Sequence, residues 1–164
     1  MRAGRSIPCS LPTLVAFVSL FTLAAGASAQ ASAPGSACDG TPASLRREVE
    51  ALNAKMVAAL QQDRASVARF YADDATIMGG GMRASGRTEI DRYWAEGPAF
   101  ADWMLEVLEV GGSCDSIWQR GLSTLTSSSG RSMVTEFLTV LKRTPGGTLE
   151  YHLDMFVAAR PPQR

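Results

Sequence analysis

The stretch FYADDATIMGGGMRASGR, residues 70–87, decides how the fold is read. An aromatic pair leads into two aspartates, a short apolar run, three glycines and then Gly86-Arg87. It is not a phosphate-binding loop, which needs Gly-Lys-Ser/Thr opening a helix; here Gly81 is followed by Met82-Arg83. It is not a dinucleotide fingerprint, because the glycines lack the G-x-G-x-x-G spacing and no parallel βαβ pattern follows. Nor does it hold a metal: the chain has one histidine, His152, and Asp73-Asp74 reads as an ordinary exposed pair. What remains is a junction. A short helix over 64–71 ends at the two aspartates, which cap the turn. Residues 75–78, β-branched and apolar, form a short buried strand. The glycines then turn the chain into a helix over 88–96, with Thr88 as N-cap and Asp91 as capping-box acid. Glycine at 79–81 lets backbone pass close to another group, such as a pocket mouth.

On the N-terminal side, 44–62 is an amphipathic helix. Leu45, Val49, Leu52, Met56 and Leu60 recur at steps of three and four, and Asp63 breaks the pattern. After Pro98 the texture changes to four strand-like runs, at 103–110, 116–126, 131–143 and 148–160. Glycine, serine and proline clusters at 111–113, 127–130 and 145–147 separate them. Runs this close in sequence pair as antiparallel hairpins. Helices first and a meander of strands after them make an α+β layout, with helices covering one face of a curved sheet. Gly121, inside a strand, is expected at a bulge or bend. The strands are apolar on both faces, so the outer face is expected to meet a second copy of the chain in a homodimer.

The first 29 residues carry Arg2 and Arg5, an apolar run at 14–25 too short to span a bilayer, and the small-x-small site Ala27-Ser28-Ala29. They read as a secretory signal peptide cut after Ala29, leaving a flexible tail at 30–43 and one domain at 44–160. The product is expected to be periplasmic or secreted, with no membrane contact once the signal is gone. Without Arg2 and Arg5 the 16 basic residues fall to 14 against 16 acids, with no basic run, so no nucleic-acid partner is expected. Cys9 lies in the signal, so Cys38 and Cys114 are the candidate disulfide of an oxidising compartment. No cofactor and no metal are expected.

Asp63, the YADDAT run at 71–76, the glycine region, Gly86-Arg87 and the IDRYW run at 90–94 resemble the nuclear transport factor 2-like superfamily. The similarity is greatest to its ketosteroid-isomerase-like and SnoaL-like members, and it runs from about Leu45 to Ala158. The resemblance implies a cone-like α+β barrel: three helices packed on a curved, mostly antiparallel sheet around one pocket, commonly as a dimer. It does not fix the chemistry, since the superfamily holds isomerases, cyclases, dehydratases and binding domains. The isomerase residues are missing. Gly79 stands at the base aspartate's position, Lys55 at the oxyanion tyrosine's, and the oxyanion aspartate's falls near Thr139.

Polar residues on apolar strands are the remaining candidates. His152 and Asp154, two apart, share a face of a regular strand and make an acid–base pair of the general kind SnoaL-like cyclases use. The alternative is that both face a dimer interface or solvent. Glu136 is a third catalytic candidate. Tyr71, Trp94, Trp118 and Arg120 are the candidate ligand-binding residues, with Glu136 an alternative cross-strand partner for Arg120. Three functions fit: an exported domain binding a small apolar molecule in a pocket, a dimeric scaffold without catalysis, or a cyclase-, isomerase- or dehydratase-type enzyme using His152 and Asp154.

Overall fold

The computed structural model describes residues 38–97 and 99–159; the expected signal peptide and all but the last part of the tail lie outside the described residues. Helix α1, Pro42–Gln62, starts where Thr41 Oγ1 accepts from the Ser44 amide at 3.2 Å, with proline in the first turn, where no amide hydrogen is needed. Leu45, Val49, Leu52, Met56 and Leu60 are all in the core, so the apolar periodicity is a buried stripe. Asp63 ends this helix and opens a 3-10 helix, Arg64–Phe70, by accepting from the Ala65 amide at 3.1 Å.

The strands are β1 (Tyr71–Gly79), β2 (Met82–Ser85), β3 (Asp102–Gly112), β4 (Ser116–Thr126), β5 (Ser132–Arg143) and β6 (Leu149–Ala158), with helix α2 (Arg87–Glu96) after β2. Their order in the one sheet is β2-β1-β6-β5-β4-β3. Every pair is antiparallel except β1 with β6. The sheet is curved and open, with β2 and β3 at its edges, and the class is α+β as expected.

The junction differs from its expected form. Asp73 and Asp74 do not cap a turn; they lie inside β1, which is longer than 75–78. Both stay exposed: Asp73 pairs with Arg87 at 3.1 Å and Asp74 sits 3.4 Å from His152. The carboxylates therefore remain in water while the backbone is extended. Gly80 and Gly81, at φ 56° and 81°, turn β1 into the unforeseen β2, as a two-residue hairpin requires. The N-cap of α2 is Gly86, not Thr88. Its φ of 77° suits glycine, and no side chain caps the helix; Glu89 instead accepts from the Ser85 amide at 2.7 Å. Arg87 donates to the carbonyls of Ala68 and Tyr71 and to Asp73 and Asp91, tying the 3-10 helix, β1 and α2 together.

Gly121 lies opposite Val107, beside a bulge between Val107 and Glu109, so the extra residue is on β3 and not on β4. A Cβ on Gly121 would come within 2.2 Å of the Glu106 carbonyl oxygen and 2.5 Å of the Phe137 ring. Cys38 and Cys114 form a disulfide, with Cα atoms 5.7 Å apart, that fastens the segment before α1 to the β3–β4 turn. Arg143 holds the same corner, donating to the Cys114 carbonyl at 2.8 Å and to Glu48 at 2.7 Å.

Candidate functional site

Between the helices and the inner face of the sheet is a cavity of about 320 Å³. Its wall is mostly aromatic, aliphatic and methionine side chains. Tyr93 and Trp94 come from α2, Trp103 and Leu105 from β3, and Phe137 and Phe156 from β5 and β6. Gly79 and Gly80 complete the wall, and Gly79 lets the Phe156 ring lie flat on the backbone: a Cβ there would be 2.6 Å from it.

The polar groups in this wall are few. One of them, the Tyr151 hydroxyl, is taken up by a closed network with Asn53 and Gln119, which do not line the cavity. The Asn53 amide donates to Gln119 Oε1 at 2.9 Å, Gln119 Nε2 donates to Asn53 at 3.2 Å and to the Tyr151 hydroxyl at 3.1 Å, and that hydroxyl donates to Asn53. All three residues are buried, and burial holds the Tyr151 phenol far above its ordinary range. Cutting the network leaves unmatched amides in an apolar place. Gln119→Leu is expected to lower stability by about 1–2 kcal/mol, and Asn53→Leu with Gln119→Leu to lower it no further. Urea denaturation of the single and double variants checks this.

Deeper in the cavity is Asp154. Its Oδ2 accepts from the Tyr71 hydroxyl at 2.8 Å. The residue lines the cavity and keeps some accessible surface there. Burial pushes its carboxyl up to about 6, and the Tyr71 hydrogen bond offsets only part of this. Tyr71 itself is raised well above the phenol range, first by burial and then by the Asp154 charge. Tyr93 is raised for the same two reasons, with the Arg64 charge opposing them. Arg64, from the 3-10 helix, also lines the cavity and is lowered by burial. It donates to the carbonyls of Tyr93 and Gly97 at the C-terminus of α2, where a cation suits the helix dipole.

Among the described residues, three wall residues carry enclosed polar side-chain atoms with no partner: Arg64 Nε, Trp94 Nε1 and Thr139 Oγ1. Thr139 is opposite Asp154 in the β5–β6 register. Trp94 packs on Tyr71, with ring centroids 6.2 Å apart. Each such buried group costs about 1–3 kcal/mol while it stays unmatched.

The candidate His152–Asp154 pair is not formed. Val140 aligns with Leu153 and Leu141 with Tyr151, so His152 is an extra residue, a bulge, in β6. The strand's alternation changes phase there: Tyr151 faces the cavity before the bulge, and Asp154 and Phe156 after it. The His152 imidazole lies by Asp74 instead. Of the four ligand-binding candidates, Trp94 lines the cavity and Tyr71 stands behind Asp154. Trp118, Arg120 and the catalytic candidate Glu136 are on the opposite face of the sheet. Trp118 covers Gly111, and Arg120 pairs with Glu109 at 2.9 Å and with Glu136 at 2.7 Å. Asn53, Gln119 and Tyr151 were not among the sequence candidates. The signal was there for the first two: an amide on the apolar stripe of α1, and an amide in step with Ile117 on a buried strand face. Among the described residues there is no cluster of three or more metal-ligating side chains.

No protein-family model matches the sequence, and no curated protein matches it. Solved structures do. A ketosteroid isomerase-like protein from Erwinia carotovora atroseptica SCRI1043 superposes with a TM-score of 0.59 at 22% identity, over 70% of this chain and 96% of that one. A nuclear transport factor 2-like protein of unknown function from Pseudomonas putida KT2440 gives 0.58 at 14% identity, over 75% and 92%. Nuclear transport factor 2 from Cryptosporidium parvum gives 0.56 at 12% identity, over 70% and 94%. The isomerase-like relative does not lend this chain its chemistry, since identities this low speak for the fold. These superpositions place the chain in the nuclear transport factor 2-like fold.

Proposed function

We propose that this chain is an exported protein that holds a small, mainly apolar molecule in the cavity under its sheet. The observation that carries the reading is the cavity itself: about 320 Å³, walled by aromatic rings, with one accessible carboxyl. Small-molecule sites have this make-up, and the volume is at the small end of their range. Export is supported by the basic, then apolar, then small-residue N-terminus and by the disulfide. Among the described residues no helix is long and apolar enough to cross a membrane.

Native mass spectrometry of the protein recovered from its exported compartment tests the reading. An extra small mass on the protein, lost in Thr135→Phe, which fills the cavity, is the expected result. Protein that arrives empty, and whose melting point no apolar compound in a broad panel moves, would sink it.

The outer face of the sheet supports a homodimer. Trp118, Leu138, Met155 and Val157 are 39–63% exposed there, beside Arg120 paired with Glu109 and Glu136. A second copy covers such an exposed apolar surface. Light scattering at micromolar concentration should give twice the chain mass, and Leu138→Glu should give one. A monodisperse wild-type monomer would remove the dimer and leave the cavity reading intact.

A further inference from the structure

We infer that the molecule held in the cavity is a small organic cation, an aryl or alkyl ammonium, whose charged nitrogen pairs with Asp154 while its apolar body lies against the aromatic wall. The inference rests on the binding reading above and narrows it to a ligand class.

The carboxyl is only half engaged. Its Oδ2 accepts from the Tyr71 hydroxyl at 2.8 Å, and its Oδ1 has no hydrogen-bond partner among the described residues. Unlike the enclosed atoms of Arg64, Trp94 and Thr139, Oδ1 keeps accessible surface, and the side chain that carries it lines the cavity. An ionised carboxyl can only accept, so a ligand that meets it there must donate.

The protein itself supplies no opposite charge. None of the ion pairs among the described residues includes Asp154. The other charged side chain of the wall, Arg64, donates to the carbonyls of Tyr93 and Gly97 at the end of α2. Buried charges in native folds are paired as a rule, which leaves the pairing here to what the cavity holds. A hydrocarbon would bury the charge unmatched, and a carboxylate would set a like charge against it. An alcohol would donate but leave the charge unbalanced. An ammonium does both, and hydrogen bonds between two charged groups are the strong class. The wall suits it as well. Tyr93, Trp94, Trp103, Phe137 and Phe156 line the cavity, and aromatic rings attract a cation as aliphatic side chains do not.

Asp154 takes this part only when ionised. The groups around it are Tyr71 from β1, Tyr93 from α2 and Tyr151 on its own strand, with the non-titrating Thr139 on β5 and Arg64 beyond Tyr93. None of these gains or loses a proton near pH 6, the value to which burial raises the Asp154 carboxyl. One unit below that value about a tenth of the carboxyl is still charged, so an ammonium should bind about tenfold more weakly at pH 5 than at pH 7.5.

Three probes of one size separate the classes: benzylamine, benzyl alcohol and ethylbenzene, titrated into the protein by NMR chemical shifts at pH 5 and pH 7.5. Benzylamine carries its proton at both. At pH 7.5 it is expected to bind roughly tenfold more tightly than ethylbenzene, the worth of about one charge-assisted hydrogen bond, and to lose most of that margin at pH 5. Asp154→Asn keeps an acceptor oxygen without the charge. It should bring benzylamine to within about twofold of benzyl alcohol and remove the pH dependence. Tyr71→Phe removes a hydrogen bond that favours the ionised form, so it should move the midpoint of that dependence to higher pH, a change that a purely structural role would not produce. Equal binding of benzylamine and ethylbenzene at pH 7.5 would overturn the inference but keep the cavity reading, as would tightest binding by benzyl alcohol. A benzylamine margin that survives Asp154→Asn would also overturn it. Failure of all three to bind at millimolar concentration would overturn both.

Discussion

Serine at both Cys38 and Cys114 lowers the unfolding free energy by about 4 kcal/mol and the melting midpoint by on the order of 15 °C. The cross-link closes a loop of 76 residues, and most of its effect falls on the unfolded chain, which loses the freedom to separate the two ends. The rest of the corner survives the change. Arg143 still donates to the Cys114 carbonyl and to Glu48, and Thr41 still caps α1. The fold is therefore expected to remain, only less stable. Denaturant titration of wild type, reduced wild type and the double serine variant measures it. The last two should agree. A loss below about 1 kcal/mol would mean that the unfolded chain already keeps the two ends close without the bond.

Asp154→Asn is expected to raise stability by about 2–3 kcal/mol at pH 8 and to change little at pH 4. The carboxyl is raised from 3.8 to about 6, chiefly by burial. Between those values the folded protein binds a proton that the unfolded chain has already released. Stability from this group is thus greatest below pH 4, falls as pH rises, and is fully lost above about pH 6. Asparagine never ionises, and it keeps an oxygen for the Tyr71 hydroxyl. Other carboxylates, such as Glu109 beside Arg120, shift the opposite way, so the variant-minus-wild-type difference at each pH is the quantity to plot. A flat difference from pH 4 to pH 8 would show that Asp154 is well solvated in the cavity. A residue that weakens the fold at neutral pH and faces an apolar cavity is the kind that binding, not stability, retains.

Much of the architecture was legible. The stripe on α1, the late meander of four strands and their turns follow from spacing and turn chemistry, and the structure has all of them. The junction was misread for a physical reason. Aspartates are rare in strands, and only their exposed position, with Arg87 at hand, lets them lie in β1. For the site, alternation correctly groups Trp118 with Arg120 on one face. It cannot say which face is inside, because Ile117 and Leu125 on one side are no more apolar than Trp118 and Leu122 on the other. Glu136 went astray with them through the same ambiguity. Asp154 was found and Tyr71 was found, but not their contact, since the two are 83 residues apart in sequence.

The extra residue at His152 bears on how relatives are compared. If β6 ran through His152 as a regular strand, alternation from Tyr151 would turn Leu153, Met155 and Val157 toward the cavity and Asp154 away from it. An alignment that keeps this strand in step with a relative lacking the bulge would equate Asp154 with a residue on the wrong side. A one-residue gap at position 152 is therefore the place to look before deciding whether another chain has lost this carboxyl or has only shifted it.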